Sequence, residues 1–302
     1  MSSSTERLTP RVLLAYLSVF IIWGSTYLAI RVGVRDWPPA LFAGVRFLAA
    51  GGILLLVARI KGSPLPNRRG IFDLSVVGLF LLVGGNWLVV WAEKTIPSGL
   101  AALIIAIVPL FMSTIDSFVP NGQRLPLFGW VGIVVGFAGM FILVSPSLGM
   151  AEGLSLDPLG IAGLVIASFL WSIGSVYSKH HPVHGDIFVN SSIQNLAAGI
   201  VLTSIGTTLN EWPEIRITEP GVLSLLYLII FGSIVGYTSY AYLLRHVPPA
   251  KASTYAYVNP VVAICLGWLI LSEPIDGRTI IAAVVILAGV AIVQTSKMRS
   301  KG

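Results

Sequence analysis

Ten stretches of about 17 to 25 mostly apolar residues fill nearly all of this 302-residue chain, at 12–33, 38–58, 73–92, 97–119, 126–145, 158–178, 187–208, 220–243, 249–271 and 278–295. In lipid every backbone N–H and C=O has to be satisfied within the segment, so runs of this length and spacing can only be membrane helices. With 55% hydrophobic and 11% charged residues, the chain lies outside the range of a soluble domain. The net charge of +6 is spread singly between the apolar runs, without the basic stripe a nucleic-acid partner needs. Cys265 is the single cysteine, which excludes a disulfide framework and a thiolate metal site. The first run lacks an A-x-A end and is too long for a signal-peptide core, so it reads as a retained helix.

An even number of crossings puts both ends on one side of the bilayer. If that side is the cytoplasm, the inside segments carry 13 Lys and Arg residues, from Arg7 and Arg11 to Lys301, against 5 outside: Arg31, Arg35, Lys94, Arg216 and Arg278. The positive-inside rule then predicts cytoplasmic termini.

The chain also repeats itself. A shift of 148 lays Trp23 on Trp171 and Leu48-Ala49-Ala50-Gly51 on Leu196-Ala197-Ala198-Gly199. A shift of 151 lays Gly85 on Gly236, Pro97 on Pro248 and Pro109 on Pro260, and a shift of 150 lays Gln123 on Glu273 and Ala138-Gly139 on Ala288-Gly289. The halves run over 12–147 and 158–296. Five helices in each is an odd number, so the second half inserts upside down relative to the first. The expected fold is an all-α polytopic membrane protein of ten helices in two inverted five-helix repeats, with a solute site near the midplane between them. Pro109 and Pro260 are expected helix breaks, since each frees a carbonyl that lipid cannot satisfy.

Helical spacing groups the polar and aromatic side chains. Trp23 and Tyr27 share a face of the first helix, and Asn86 and Glu93 one of the third, with Trp87 beside it. The sixth helix offers Trp171 and Ser175, the eighth Tyr237 and Tyr240, and the ninth Tyr255 and Asn259 beside Pro260. Together they predict a substrate cavity suited to flat, zwitterionic or cationic organic solutes through stacking and cation–π contact. Trp37, Trp212 and Tyr16 read instead as interfacial anchors.

Ionisable groups inside membrane helices are costly and mark function. Glu93, at the outer end of the third helix, and Arg46, roughly 12 Å into the second at 1.5 Å per residue, are the gate or coupling candidates; Arg46 needs a carbonyl or carboxylate partner in the bundle. Asp116 is a weaker candidate, because its repeat mate is Gly267. Gly132, Gly136 and Gly139 smooth the fifth helix for packing against the tenth, which leaves the chain a monomer or a homodimer. His180, His181 and His184 lack the companions of a metal site.

The segments W-G-S-T-Y-L-A-I-R (23–31), W-P-P-A-L-F-A-G-V-R-F-L-A-A-G (37–51), A-E-K-T-I-P-S-G (92–99) and S-T-Y-A-Y-V-N-P-V-V-A (253–263) resemble the EamA family of the drug/metabolite transporter superfamily. The likeness covers nearly the whole chain and is strongest to bacterial inner-membrane exporters. It implies a secondary transporter that exports a small organic metabolite or drug by alternating access, with no cofactor. It further implies a central cavity lined by the first, third, fourth, sixth, eighth and ninth helices. A lipid-linked sugar flippase of the same superfamily is the alternative on the same fold. A membrane enzyme is less favoured, since no H-E-x-x-H, G-x-S-x-G or P-loop occurs and all four histidines lie in loops.

Overall fold

The computed structural model describes residues 9–120, 122–149, 156–247, 252 and 254–299. Among these, nine helices are long and apolar enough to cross a membrane: α1 Pro10–Gly33, α2 Pro39–Ile60, α3 Arg68–Ala92, α4 Ser98–Phe118, α5 Leu127–Ser147, α6 Pro158–His180, α7 Ile187–Thr208, α8 Glu219–His246 and α10 Gly277–Ser296. A tenth, α9 Tyr255–Leu271, is shorter. The third helix begins five residues earlier than its apolar run, because the Asn67 side chain accepts from Gly70 N at 2.8 Å and draws Arg68 and Arg69 into the first turn. Pro248, the expected entrance to the ninth helix, lies outside the described residues.

The core is largely apolar, but the outer surface is apolar as well and several polar groups are drawn inside. Leu14, Phe118, Leu127, Val134 and Leu269 are exposed on the outer surface, whereas Arg46, Glu93, Ser172, Gln194, Asn195 and Asn259 are buried. That distribution minimises free energy only where the surrounding solvent is hydrocarbon.

The two halves meet reciprocally. In the α2–α7 pair, a methyl group built on Gly51 would stand 2.8 Å from Leu196 Cγ, and one on Gly199 would stand 2.8 Å from Leu48 Cγ. Because 51 matches 199 and 48 matches 196 in the repeat, the contact maps onto itself when the halves are exchanged. The α5–α10 pair does the same through small residues, with Gly139 against Ile286 and Gly289 against Gly136. The glycine stripe of the fifth helix is therefore used within the chain.

Three segments inside the membrane widen to π-helix: Val19–Trp23 in α1, Leu79–Trp87 in α3 and Leu228–Gly236 in α8. Those in α3 and α8 occupy matching repeat positions, and such widenings concentrate at functional sites. The proline helices differ. In α4 the helix stops at Ile105 and restarts at Val108, so the break precedes Pro109. Here the Ser172 hydroxyl donates to Val108 O at 3.1 Å, tying α6 to the point where α4 restarts. In α9 the helix runs through Pro260 from Tyr255, so the expected break at that proline does not occur. Only the bond to the carbonyl one turn back is lost, and Pro260 lies too near the helix start to divide it.

Candidate functional site

At the π segments two tryptophans, Trp23 in the α1 segment and Trp171 in the regular helix α6, pack against glycines of the α8 and α3 segments. A methyl group on Gly236 would lie 2.6 Å from Trp23 Nε1, and one on its repeat mate Gly85 would lie 2.7 Å from Trp171 Cε3. Only a residue without Cβ lets each indole seat this deeply. Trp23 Nε1 also donates to Gly232 O at 3.3 Å, inside the α8 π segment.

Around these indoles lies a cavity at the centre of the bundle, lined by Trp23, Thr26, Tyr27, Arg46, Asn86, Trp171, Ser233, Tyr237, Tyr255 and Asn259, with apolar contributions from Ile105 and Val108 of α4. Of the sequence candidates, Trp23, Tyr27, Asn86, Trp171, Tyr237, Tyr255, Asn259 and Arg46 are brought together there. Trp87, Ser175 and Tyr240 are not. Trp87 follows Asn86 directly, and consecutive helical residues point about 100° apart. Ser175 and Tyr240 lie about one turn further along α6 and α8, some 4.5–6 Å nearer the end of the bundle that bears both termini. Thr26 lines it beside Trp23 and Tyr27, and Ser233 was missed as a lining group because its π segment defeats extrapolation at 3.6 residues per turn.

The volume of the cavity is about 70 Å³. That holds a few water molecules and falls far short of the 300 Å³ or so at which small-molecule pockets begin. Toward the termini a second, much larger space of about 540 Å³ opens, lined among others by Asp73, Ser175, Lys179, His184, Asn190, Gln194, Tyr240 and Arg245. Four rings separate the two. Trp23 contacts Trp171, Tyr240 and Tyr255 at centroid distances of 5.6, 5.0 and 5.3 Å, and Tyr240 contacts Trp171 at 5.9 Å and Tyr255 at 5.6 Å. The aromatic side chains expected to form an open cage thus pack on one another as a plug. Tyr237 borders both spaces and donates from its hydroxyl to Gln194 Oε1 at 2.5 Å, tying α8 to α7 beside the plug.

Asn259 secures the plug to the backbone. With its amide oriented to satisfy both ends, its nitrogen donates to Phe20 O at 3.1 Å, in the α1 π segment, and to Tyr255 O at 3.3 Å. Arg46 is 4% exposed; its Nε donates to Ser233 Oγ at 2.8 Å and its Nη1 to Asn86 Oδ1 at 3.3 Å. Its guanidinium lies 5.0 Å from the Phe47 ring centroid.

The opposite end is closed by different chemistry. Glu93 is fully buried, neither carboxylate oxygen has a hydrogen-bond partner among the described residues, and its backbone carbonyl accepts from Arg31 Nη1. Nearby, Glu273 receives Ser98 N at 2.8 Å, Ser98 Oγ at 3.0 Å and Gly99 N at 3.1 Å, capping α4. Its role was not legible beyond the alignment with Gln123. Asp116 is engaged by Lys179 Nζ at 2.7 and 2.9 Å and by His180 Nε2 at 3.4 Å, which makes it a clamp between α4 and α6. His181 stacks on Tyr177 at 4.1 Å, so the histidines face separate partners.

Comparison with known proteins follows the same repeat. The model of the EamA-like transporter family matches residues 10–145 and again 158–295. The chain is 39% identical to the uncharacterized inner membrane transporter YedA of Escherichia coli K12, over 94% of this chain and 90% of that protein. It is 25% identical to the uncharacterized transporter YoaV of Bacillus subtilis 168, over 93% and 95%, and 27% identical to a protein of E. coli K12 named "Probable amino-acid metabolite efflux pump", over 91% and 92%. A solved crystal structure with 19% identity superposes at a TM-score of 0.68, covering 97% of this chain and 99% of that one, which shows the shared fold. A multi-pass membrane protein built from two copies of one family domain, the chain belongs to the EamA-like transporter family.

Proposed function

We propose that the protein exports a small organic solute across the bacterial inner membrane by alternating access, with both termini cytoplasmic. In this reading the 540 Å³ space is the cytoplasmic vestibule and the 70 Å³ cavity is the binding site in a contracted, closed state. Solute enters when the four rings and the Tyr237–Gln194 bond separate, and it leaves when the Arg31–Glu93 end opens as the halves rock. The orientation rests on the excess of Lys and Arg in the segments on the termini side.

The observation that carries this reading is a small cavity at the interface of two inverted repeats, with Arg46, Asn86, Ser233 and Asn259 on its wall and four packed aromatic rings between it and a wide vestibule. A protein with a purely structural role would fill that space with apolar packing. Relatives named as transporters, one of them for amino-acid metabolite efflux, support the reading in class. The test is a metabolite and drug efflux screen on overexpressing cells, with and without an uncoupler to settle the energy source. It is followed by transport in vesicles for Asn259→Ala and Tyr255→Ala. Loss of transport at unchanged expression is expected; normal transport in both variants removes this site.

A further inference from the structure

One group in the cavity is left electrically incomplete. Arg46 is 96% buried by its 4% exposure, in mid-membrane, yet no carboxylate among the described residues lies within ion-pair distance of it. Its described partners, Ser233 and Asn86, are neutral and engage Nε and Nη1. A guanidinium has five N–H donors in a planar fork, so more remain than these acceptors use. Nη2 lies against Gly232, where a methyl group would stand 2.9 Å away. The glycine thus leaves room for the guanidinium on the cavity wall.

The acidic residues of the membrane helices do not balance this charge. Asp73 holds Tyr177 at 2.7 Å and Arg69 at 3.2 Å, Asp116 holds Lys179, Glu93 is buried at the outer end of α3 beyond ion-pair distance of Arg46, and none of the three lines the cavity. A buried cation without a counter-ion is costly in a membrane protein, and the cost is recovered when an anion arrives. Carboxylate matches the guanidinium fork in two parallel bonds. The Trp23 and Tyr255 rings line the same cavity and suit a flat apolar body.

We propose that Arg46 is the substrate's carboxylate anchor, and that the transported class is organic monoanions with a planar apolar body. Cationic solutes are excluded because the cavity lining offers them aromatic faces but no carboxylate, beside an unneutralised guanidinium. The inference rests on the central cavity being the transport site and narrows what that site accepts.

The experiment uses the purified full chain in lipid nanodiscs and three probes that share one ring and differ in charge: benzoate, benzamide and benzylamine. Wild type is expected to bind benzoate at least about tenfold more tightly than benzamide, the margin of one charge-assisted pair, and to bind benzylamine more weakly still. Arg46→Gln, whose amide ends where Arg46 Nε sits and so keeps a neutral group within reach of Ser233, is expected to bind acid and amide alike. Arg46→Lys is expected to keep the acid preference at reduced affinity. A merely structural Arg46 would lower the melting temperature of Arg46→Gln while leaving the acid-to-amide ratio of the folded fraction unchanged. That result overturns the proposal, as does wild type binding benzylamine or benzamide as well as benzoate, or failing to bind benzoate. If efflux of other solutes still fails in Tyr255→Ala and Asn259→Ala, the transport site stands and only its charge selectivity falls.

Discussion

Adding one methyl group at Gly236 is a direct test of how the plug is built. The new Cβ would stand 2.6 Å from Trp23 Nε1 and 2.8 Å from its Cδ1, whereas unstrained carbon contacts lie near 3.5–4.0 Å. The indole would have to retreat by about 1 Å. Its bond to Gly232 O, already 3.3 Å long, would be lost. Overpacking of this kind costs about 1–3 kcal/mol and the bond about 1 kcal/mol more, against about 1 kcal/mol gained from replacing Gly by Ala in a helix. A net destabilisation of about 1–3 kcal/mol follows, or several degrees in melting temperature. Gly85→Ala is expected to behave alike, since Trp171 stands over it in the matching position. Gly52→Ala is the control: its Cβ would meet nothing within 4 Å, so the variant is expected to gain about 0.5–1 kcal/mol. The assay is thermal unfolding in one detergent at one scan rate, because membrane-protein melts are commonly irreversible, with vesicle efflux measured in parallel. The reasoning is refuted if Gly236→Ala melts with or above Gly52→Ala, or if Gly85→Ala and Gly236→Ala shift in opposite directions.

Removing the carboxylate at Glu273 unpairs Ser98 N and Gly99 N at the start of α4, so Glu273→Ala is expected to lose about 1–2 kcal/mol, with Glu273→Gln recovering part of it in the same melt. Glu93→Gln preserves shape at a fully buried site without a hydrogen-bond partner among the described residues, so its melt is expected to stay within about 1 kcal/mol of wild type. If Glu93 couples efflux to protons, the uncoupler-sensitive part of efflux disappears in that variant; its persistence excludes the role. Asp186 sits outside the membrane, capping α7. Burial pushes its carboxyl up, but the Ser63 hydroxyl, the Phe188 N–H, Lys61 and Arg245 together hold it below the usual carboxylate range. Its contribution to stability is therefore full above the ordinary value near 4 and lost as pH falls through the lower folded value. Asp186→Asn is expected to flatten the acid limb of the melting profile, and an unchanged limb counts against the assignment.

The ten helices, their inverted duplication and most of the cavity lining were legible in the residues, because lipid enforces its demand on each segment locally. A run of apolar residues must become a helix wherever it lies in the chain. Trp23 and Trp171 could be placed as repeat mates, and Asn86, Tyr255 and Asn259 from helical spacing and the nearness of the last two to Pro260. What the tertiary structure alone decided is how these groups meet. Tyr240 left the cavity for the plug and Ser233 entered it, because π segments and the depth of each helix in the bundle depend on neighbours from the other half. Arg46 illustrates the boundary. Its cost in the bilayer could be read from its position, but the carboxylates of Asp73 and Asp116 turned out to be engaged elsewhere. Which charges remain unbalanced depends on distances across the whole bundle, and no local pattern of residues encodes those.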